Sequence, residues 1–287
     1  MVEILAIETG DQGGFDPEER LPDPMDVMVV CSSLISFNPI DRDIYYREYS
    51  DEDHDKSGKD ADRIQIQLAH FSVKEFLLSD RYTFSQSFRS QVCHSIIAES
   101  CLRYLLHLGQ DGPLAHELVR QYPLSEYAAE QWWQHLQTVS CMIDETLLEL
   151  TLWLLTEEDD FLLPWVQLYN MDKPRRLVNP CIKGEDVARP LYYAANIGVP
   201  AVVKKILERN IDVNAYGGRY GTALQVASFR DHETVVKMLL EAGADVNAQG
   251  GCYGTALQAA SYGGSETVVK MLLEAGADVN AQGGHFG

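Results

Sequence analysis

The chain has 287 residues, enough for two domains and a well-buried core, and its 46% apolar content is that of an ordinary soluble protein. Its formal charge of −20 is unusual, and it argues against nucleic acid and anionic membranes as partners, because so negative a surface repels both. The charge is uneven: residues 1–187 hold 15 Lys+Arg against 34 Asp+Glu, a net −19, whereas residues 188–287 hold 8 against 9. A basic protein surface is the better-matched partner.

The opening MVEILAIETGDQGG has neither a basic leader nor an apolar run of signal-peptide length. The most apolar stretch, TLLELTLWLL at 146–155, contains Glu149 and is too short to cross a bilayer, so it predicts a buried helix. Six cysteines (Cys31, Cys93, Cys101, Cys141, Cys181, Cys252) lie far apart without a C-x-x-C pair. That pattern predicts reduced core thiols and a cytoplasmic protein.

In chain order, PMDVMVVCSSLISF (24–37) opens helical and becomes β-prone. DIYYREYS (43–50) and RIQIQLAHFSV (63–73) alternate at period two and predict a hairpin around the charged loop DEDHDKSGKDAD. Helical periodicity then dominates over 84–109, 114–122, 125–140, 144–157 and 159–170, punctuated by Gly109, Gly112-Pro113, Pro123 and Pro164. Trp132, Trp133, Trp153 and Trp165 fall in these Leu-rich segments and read as core. MDKPRRLVNPCIKGEDV (171–187) reads as a linker. The expected division is a partial winged-helix-like element with a β-hairpin over 1–83, a helical bundle over 84–170, that linker, and a repeat array over 188–287.

The array repeats at 33 residues: 188–220, 221–253 and 254–286. Each unit predicts a short inner helix (TALQVAS), a turn, and an outer helix (ETVVKMLLEAG) presenting Val235, Val236, Leu239 and Leu240 at helical spacing. Gly243 stands where a helix C-terminus wants positive φ, and DVNA leads to the glycine tip Gly250-Gly251. A unit this small cannot bury its own apolar face, so neighbours must stack. This resembles the ankyrin repeat: TALQ stands where that family has T-P-L-H, with Ala223 and Ala256 for Pro and with Gln225 and Gln258 for His, while the first unit reads RPLY. Gln can both donate and accept, so the substitution should alter one inter-loop hydrogen bond without threatening the fold. The resemblance implies a mainly α fold with three stacked units and the start of a fourth.

Units two and three share the frame EAGADVNAQGG (241–251 and 274–284) and differ at Val226/Ala259, at Phe229-Arg230-Asp231-His232 against Tyr262-Gly263-Gly264-Ser265, and at Cys252-Tyr253 against His285-Phe286. Val226/Ala259 should be core. The remaining differences fall on what the resemblance makes the concave face and loop tips, where ankyrin proteins bind protein ligands. The candidate protein-binding residues are Tyr216, Arg219, Tyr220, Phe229, Arg230, His232, Cys252, Tyr253, Tyr262, His285 and Phe286, since aromatics and arginine are the usual interface anchors. GGHFG opens a further unit with no polar cap, so a fragment or truncated product that frays or self-associates at its last repeat is expected.

RLPDPMDVMVVCSSLI, LAHFSVKEFLLSDR, IIAESCLRYLL and YPLSEYAAEQWWQHL are similar to the region that follows the NTPase in fungal NACHT-type, NLR-like receptors, where a winged helix and a helical arm lead into ankyrin repeats. That likeness implies a signalling, non-self-recognition role. No G-x-x-x-x-G-K-[ST] exists to cradle phosphates, so no nucleotide cofactor is expected.

Other motifs are weak. Asp51, Asp53, Asp55 and Asp62 have calcium-loop spacing, but Lys56 takes the glycine place and strands flank the run; a solvated acidic loop is the simpler reading. Cys252 and His285 make only two ligands where zinc wants three or four. Cys93-His94 with Cys101, His116-Glu117 and His232-Glu233 lack the partners of a metal or protease motif, and no G-x-S-x-G occurs. No catalytic residue, cofactor or metal is assigned, and the chain reads as a non-enzymatic interaction module. Two other classes stay open: a gene product without a ligand, or an enzyme whose site is assembled from distant residues.

Overall fold

A computed structural model of the chain describes residues 35–39, 64–68, 90–110, 121–156, 161–173 and 179–284. These fall into two compact units, one holding the two strands and the other beginning at Cys93. The fold is mainly α.

In the first unit, β1 (Ile35–Pro39) and β2 (Ile64–Leu68) pair antiparallel, with Ile35 opposite Leu68 and Pro39 opposite Ile64. A strand is therefore present at 64–68, within the expected 63–73, and among the described residues it pairs with 35–39, the end of the apolar run 24–37. Residues 43–50, the loop 51–62, residues 114–120, His285 and Phe286 lie outside the described residues.

Among the described residues, four helices precede the repeats: α1 (Ser90–Gln110), α2 (Ser125–Thr138), α3 (Glu145–Thr156) and α4 (Leu162–Leu168). Leu147, Leu150, Leu154 and Leu155 of α3 are buried, as the apolar run predicts. Trp132 and Trp165 are buried core residues, but Trp153 is 45% exposed. An unbroken Leu/Trp run cannot say which turn of a helix faces out, and here the Trp153 ring covers Phe161 edge-on, 5.9 Å away, at the surface. The thiols also divide: Cys101 and Cys252 are buried, Cys93 is half-buried, and Cys141 and Cys181 are exposed. Core burial was expected for all of them.

The repeats follow as three helix pairs: α5 (Pro190–Ile197) with α6 (Pro200–Leu207), α7 (Ala223–Phe229) with α8 (Glu233–Glu241), and α9 (Ala256–Gly263) with α10 (Glu266–Glu274). Proline at the first helical position starts α5 and α6, where its missing N–H costs nothing. Thr222 and Thr255 start α7 and α9 instead, each in a capping box with the Gln three residues on. Val226, Ala227, Val235, Val236 and Leu239 are fully enclosed, as are Ala260, Val268 and Leu272, with Ala259 nearly so, while Val269, the counterpart of Val236, is half-buried. Burial of that kind contributes about 1.5–3 kcal/mol per Val or Leu.

Two hydrogen-bond ladders join one unit to the next. Gln225 Oε1 accepts from the Thr222 N–H (2.7 Å), while its amide reaches forward to the carbonyls of Gly254 (2.8 Å), Ala248 and Gly250 (both 3.2 Å). Gln258 repeats this with Thr255 and Ala281. Near the outer-helix exits, Asn214 Oδ1 accepts from the Asp245 N–H (2.7 Å) and Asn247 Oδ1 from the Asp278 N–H (2.8 Å). Gln thus does what the sequence assigned to it. The tips need glycine: Gly251 has φ of 63°, and a Cβ there would strike the Tyr220 carbonyl.

The helical segment covers the exposed side of the first pair. α3 packs on α5 and α6, and α2 on α5. Trp165 donates from Nε1 to the Ala129 carbonyl (2.9 Å) and meets Trp132 and Tyr193 edge-on at 5.4 and 5.5 Å. Gln137 donates to the Ile197 carbonyl (2.5 Å), and Arg209 to Thr156 Oγ1 (2.6 Å).

Replacing Gln225 with Ala should lower the unfolding free energy by about 1–3 kcal/mol, because buried carbonyls and the Thr222 N–H lose their partner. Urea unfolding followed by circular dichroism measures it. Gln258→Ala should cost less, its site being only half-buried.

Candidate protein-interaction surface

Each hairpin tip is a tight loop closed by glycine, with Gly217 N–H on the Gly221 carbonyl (2.9 Å) and Gly250 N–H on that of Gly254 (2.8 Å). The residue before each closing glycine is Tyr220 or Tyr253; Phe229 ends one inner helix and Tyr262 stands one residue before the end of the next. The fold brings these four rings together. Tyr220 and Phe229 stack at 4.7 Å and 23°, Phe229 and Tyr253 at 5.0 Å and 20°, and Tyr253 and Tyr262 at 4.6 Å and 34°. Tyr220–Tyr253 and Phe229–Tyr262 spacings of 5.9 and 6.2 Å complete a staggered ladder of two rails running along the stack. Exposure grows along it: Tyr220 is buried, Phe229 and Tyr253 are half-buried, and Tyr262 is 61% exposed.

Arginines border the ladder. The Arg230 guanidinium lies 5.7 Å from the Phe229 ring centre, and its Nε donates to Asn196 Oδ1 (2.9 Å). The Arg219 N–H donates to Asp172 Oδ2 (2.8 Å), and its Nη1 reaches the Asp172 carbonyl (3.3 Å). Neither arginine makes an ion pair among the described residues. Burial raises the Tyr220 phenol, and the Arg230 and Arg219 charges act against that rise. Burial, with Cys252 beside it, pushes Tyr253 up to about 12, so its hydroxyl stays protonated near neutrality.

Three of the expected exposed residues are placed otherwise. Cys252 is buried, its N–H bonded to the Arg219 carbonyl at 3.0 Å, because the tip folds back on the preceding one. Tyr220 is buried under Phe229, and its N–H donates to Tyr192 Oη of the same unit at 3.3 Å. His232 is half-buried: its Nε2 N–H donates to the Asn196 carbonyl (3.1 Å), and its ring fills the space that the absent side chain of Gly198 leaves open. Tyr216 is exposed, but its hydroxyl accepts from the Gly251 N–H at 2.8 Å, tying two tips together. Phe229, Arg230, Tyr253 and Tyr262 form the accessible surface, with Arg219 beside them. Because Phe229 and Arg230 also hold neighbours, their joint replacement by Ala should lower the melting temperature, although exposed positions alone would have left it unchanged.

Asp172 is the residue that sequence reasoning missed. Almost fully enclosed, it accepts from Tyr192 Oη at 2.7 Å and from the Arg219 backbone, and so clamps the helical segment to the first tip. It also lines a cavity of about 560 Å³, half polar and half apolar, with Gln167, Asn170, Arg219, Val166 and Ile182. No local pattern marks an interaction 47 residues apart. Among the described residues no three His, Cys, Asp or Glu side chains gather as for a metal ion, and no helix is long and apolar enough to cross a membrane.

A family model described as ankyrin repeats in three copies matches residues 166–250 and 191–283, so the repeats are ankyrin repeats, as their sequence implies. The chain is also similar to azaphilone pigments biosynthesis cluster protein L of Monascus ruber, 32% identical over 251 residues that cover 81% of this chain and 49% of that protein. It therefore spans about half the length of the relative it matches.

His232 supplies a pH test. Burial, reinforced by the Arg230 charge, holds its folded pKa below the ordinary 6.5, so the unfolded state binds more protons between those two values. Its contribution is present above 6.5 and is lost as pH falls through that window. Urea midpoints at a series of pH values should fall less steeply below 6.5 in His232→Gln than in the unaltered protein.

Proposed function

We propose that the ankyrin stack is a protein-recognition module whose contact surface is the ring ladder of Phe229, Tyr253 and Tyr262 with Arg219 and Arg230. The observation that carries this reading is that the side chains in which units two and three differ include Phe229, Arg230, Tyr253 and Tyr262, while the Gln and Asn hydrogen bonds that fix the hairpins and exits are copied. A frame held constant beneath a varied aromatic surface is the anatomy of an interface, where Tyr and Arg carry most of the binding energy. Tyr216, Tyr220, His232 and Cys252 support that surface from behind, and His285 and Phe286 continue the same positions in the sequence.

The helical segment serves in this proposal as the platform of the stack. The finer assignment, to the part of a NACHT-type signalling receptor that follows its NTPase, is supported by LAHFSVKEFLL at 68–78 and by the order of a helical region before ankyrin repeats. The −19 carried by residues 1–187 suits a basic protein surface facing that half.

Tyr262→Ala should reduce ligand capture while changing the melting temperature little, because that ring is the most exposed of the four. Phe229→Ala should reduce both. The measurement is quantitative mass spectrometry of proteins retained from cell extract by the full chain and by each variant, alongside thermal melts. Retention identical in all three would defeat the assignment of the surface.

A further inference from the structure

The ring ladder carries a charge preference opposite to that of the whole chain. Segments 188–199, 216–230 and 249–264, which make the inner helices and hairpin tips, contain Arg189, Arg219 and Arg230 and no Asp or Glu. All nine carboxylates of residues 188–287 lie in the outer helices, their exits and the turn at Asp231. In a protein of net charge −20 the inner surface is thus a basic island.

The rings strengthen the preference. With interplanar angles of 20–34°, their faces are turned toward one another, so the cluster offers mainly ring edges to solvent. An aromatic face is negative and its edge positive. Faces turned toward one another are less open to an incoming Lys or Arg, although Arg230 lies against the Phe229 ring at 5.7 Å, whereas accessible edges favour carbonyl and carboxylate oxygens. Two guanidiniums without an ion pair among the described residues flank these edges, and both act on the Tyr220 phenol. Two carboxylates approach from the helical segment. Asp172 already accepts from Tyr192 and Arg219, and Glu130 is felt at Tyr169, as is Arg230.

We propose that the concave surface of the ankyrin stack binds an acidic segment of a partner protein, its carboxylates held by Arg219 and Arg230 beside the edges of Tyr253 and Tyr262. This rests on the recognition reading above and gives it a partner chemistry. Basic surfaces would then be met by the acidic half of the chain, and acidic segments by the repeats.

The test is to pan a random peptide library displayed on phage against the full chain, with the Tyr262→Ala chain as counter-selection. Peptides that depend on Tyr262 should be acidic, and their affinity should fall with rising salt. Affinity should also drop on the order of tenfold in the Arg219→Glu, Arg230→Glu double variant, as it does when one side of a charge pair is inverted. Arg219→Gln with Arg230→Gln, checked by circular dichroism, gives a smaller loss and serves if the reversal unfolds the chain. Tyr262-dependent peptides that are neutral or basic would overturn the acidic preference and leave the surface itself intact. Absence of any Tyr262-dependent peptide would remove both. A concentration-dependent dimer in sedimentation velocity, abolished by the double reversal, would give the surface to a second copy of this chain and overturn the assignment to a separate partner.

Discussion

The stack depends on each repeat satisfying backbone groups that the next one leaves open. The Gln225 amide reaches the Gly254 carbonyl of the next unit along with Ala248 and Gly250 at the end of its own, and Asn214 and Asn247 each take an N–H from the following exit loop. Hydrophobic burial brings the helix pairs together, but it is non-directional and would tolerate sliding. Buried carbonyls would not, because each one left without a donor costs more than its bond contributes. The ladders therefore set the register, and they account for letters copied between the units: Asn214 and Asn247 serve successive junctions, while Ala248 and Ala281 accept from Gln225 and Gln258 in the same way.

The first repeat solves the same problem with different chemistry. Tyr192 stands where later units have Gln, and its hydroxyl both donates to Asp172 and accepts from the Tyr220 N–H. A longer side chain thus bridges from the helical segment to the first tip. Beneath it, Trp165 joins α2 to the first repeat through Ala129 and Tyr193. An apolar face that would otherwise meet water is closed by helices outside the 33-residue pattern, as a stack of this kind requires at its end.

The period, the helix pairs and the role of Gln were legible because they are local or recur at a fixed interval. What stayed hidden depends on contacts distant in sequence. Period-two alternation placed a strand over 63–73, which includes 64–68, but did not find its pairing with 35–39. A place at a loop tip or a varied turn suggested exposure at 220, 232 and 252, yet Tyr220 is covered by Phe229 and bonded to Tyr192, and His232 and Cys252 bond to the preceding unit. Phe229, Tyr253 and Tyr262 were found as separate surface aromatics, while their mutual stacking belongs to the curvature of the stack and has no signature within one unit. Asp172 lay in what read as a linker, where nothing local distinguishes a clamp from a solvated acid.

The identity of the ladders at successive junctions has a genetic consequence. Any whole unit excised or duplicated at the period boundary creates a junction chemically the same as the one it replaces, so the backbone accepts the change without new side chains. Each added copy of the second kind would lengthen the row of rings by one Tyr and one aromatic helix end. Groove length, and with it the reach of the bound segment, can thus evolve by recombination in whole-unit steps, separately from point mutation of the rings themselves.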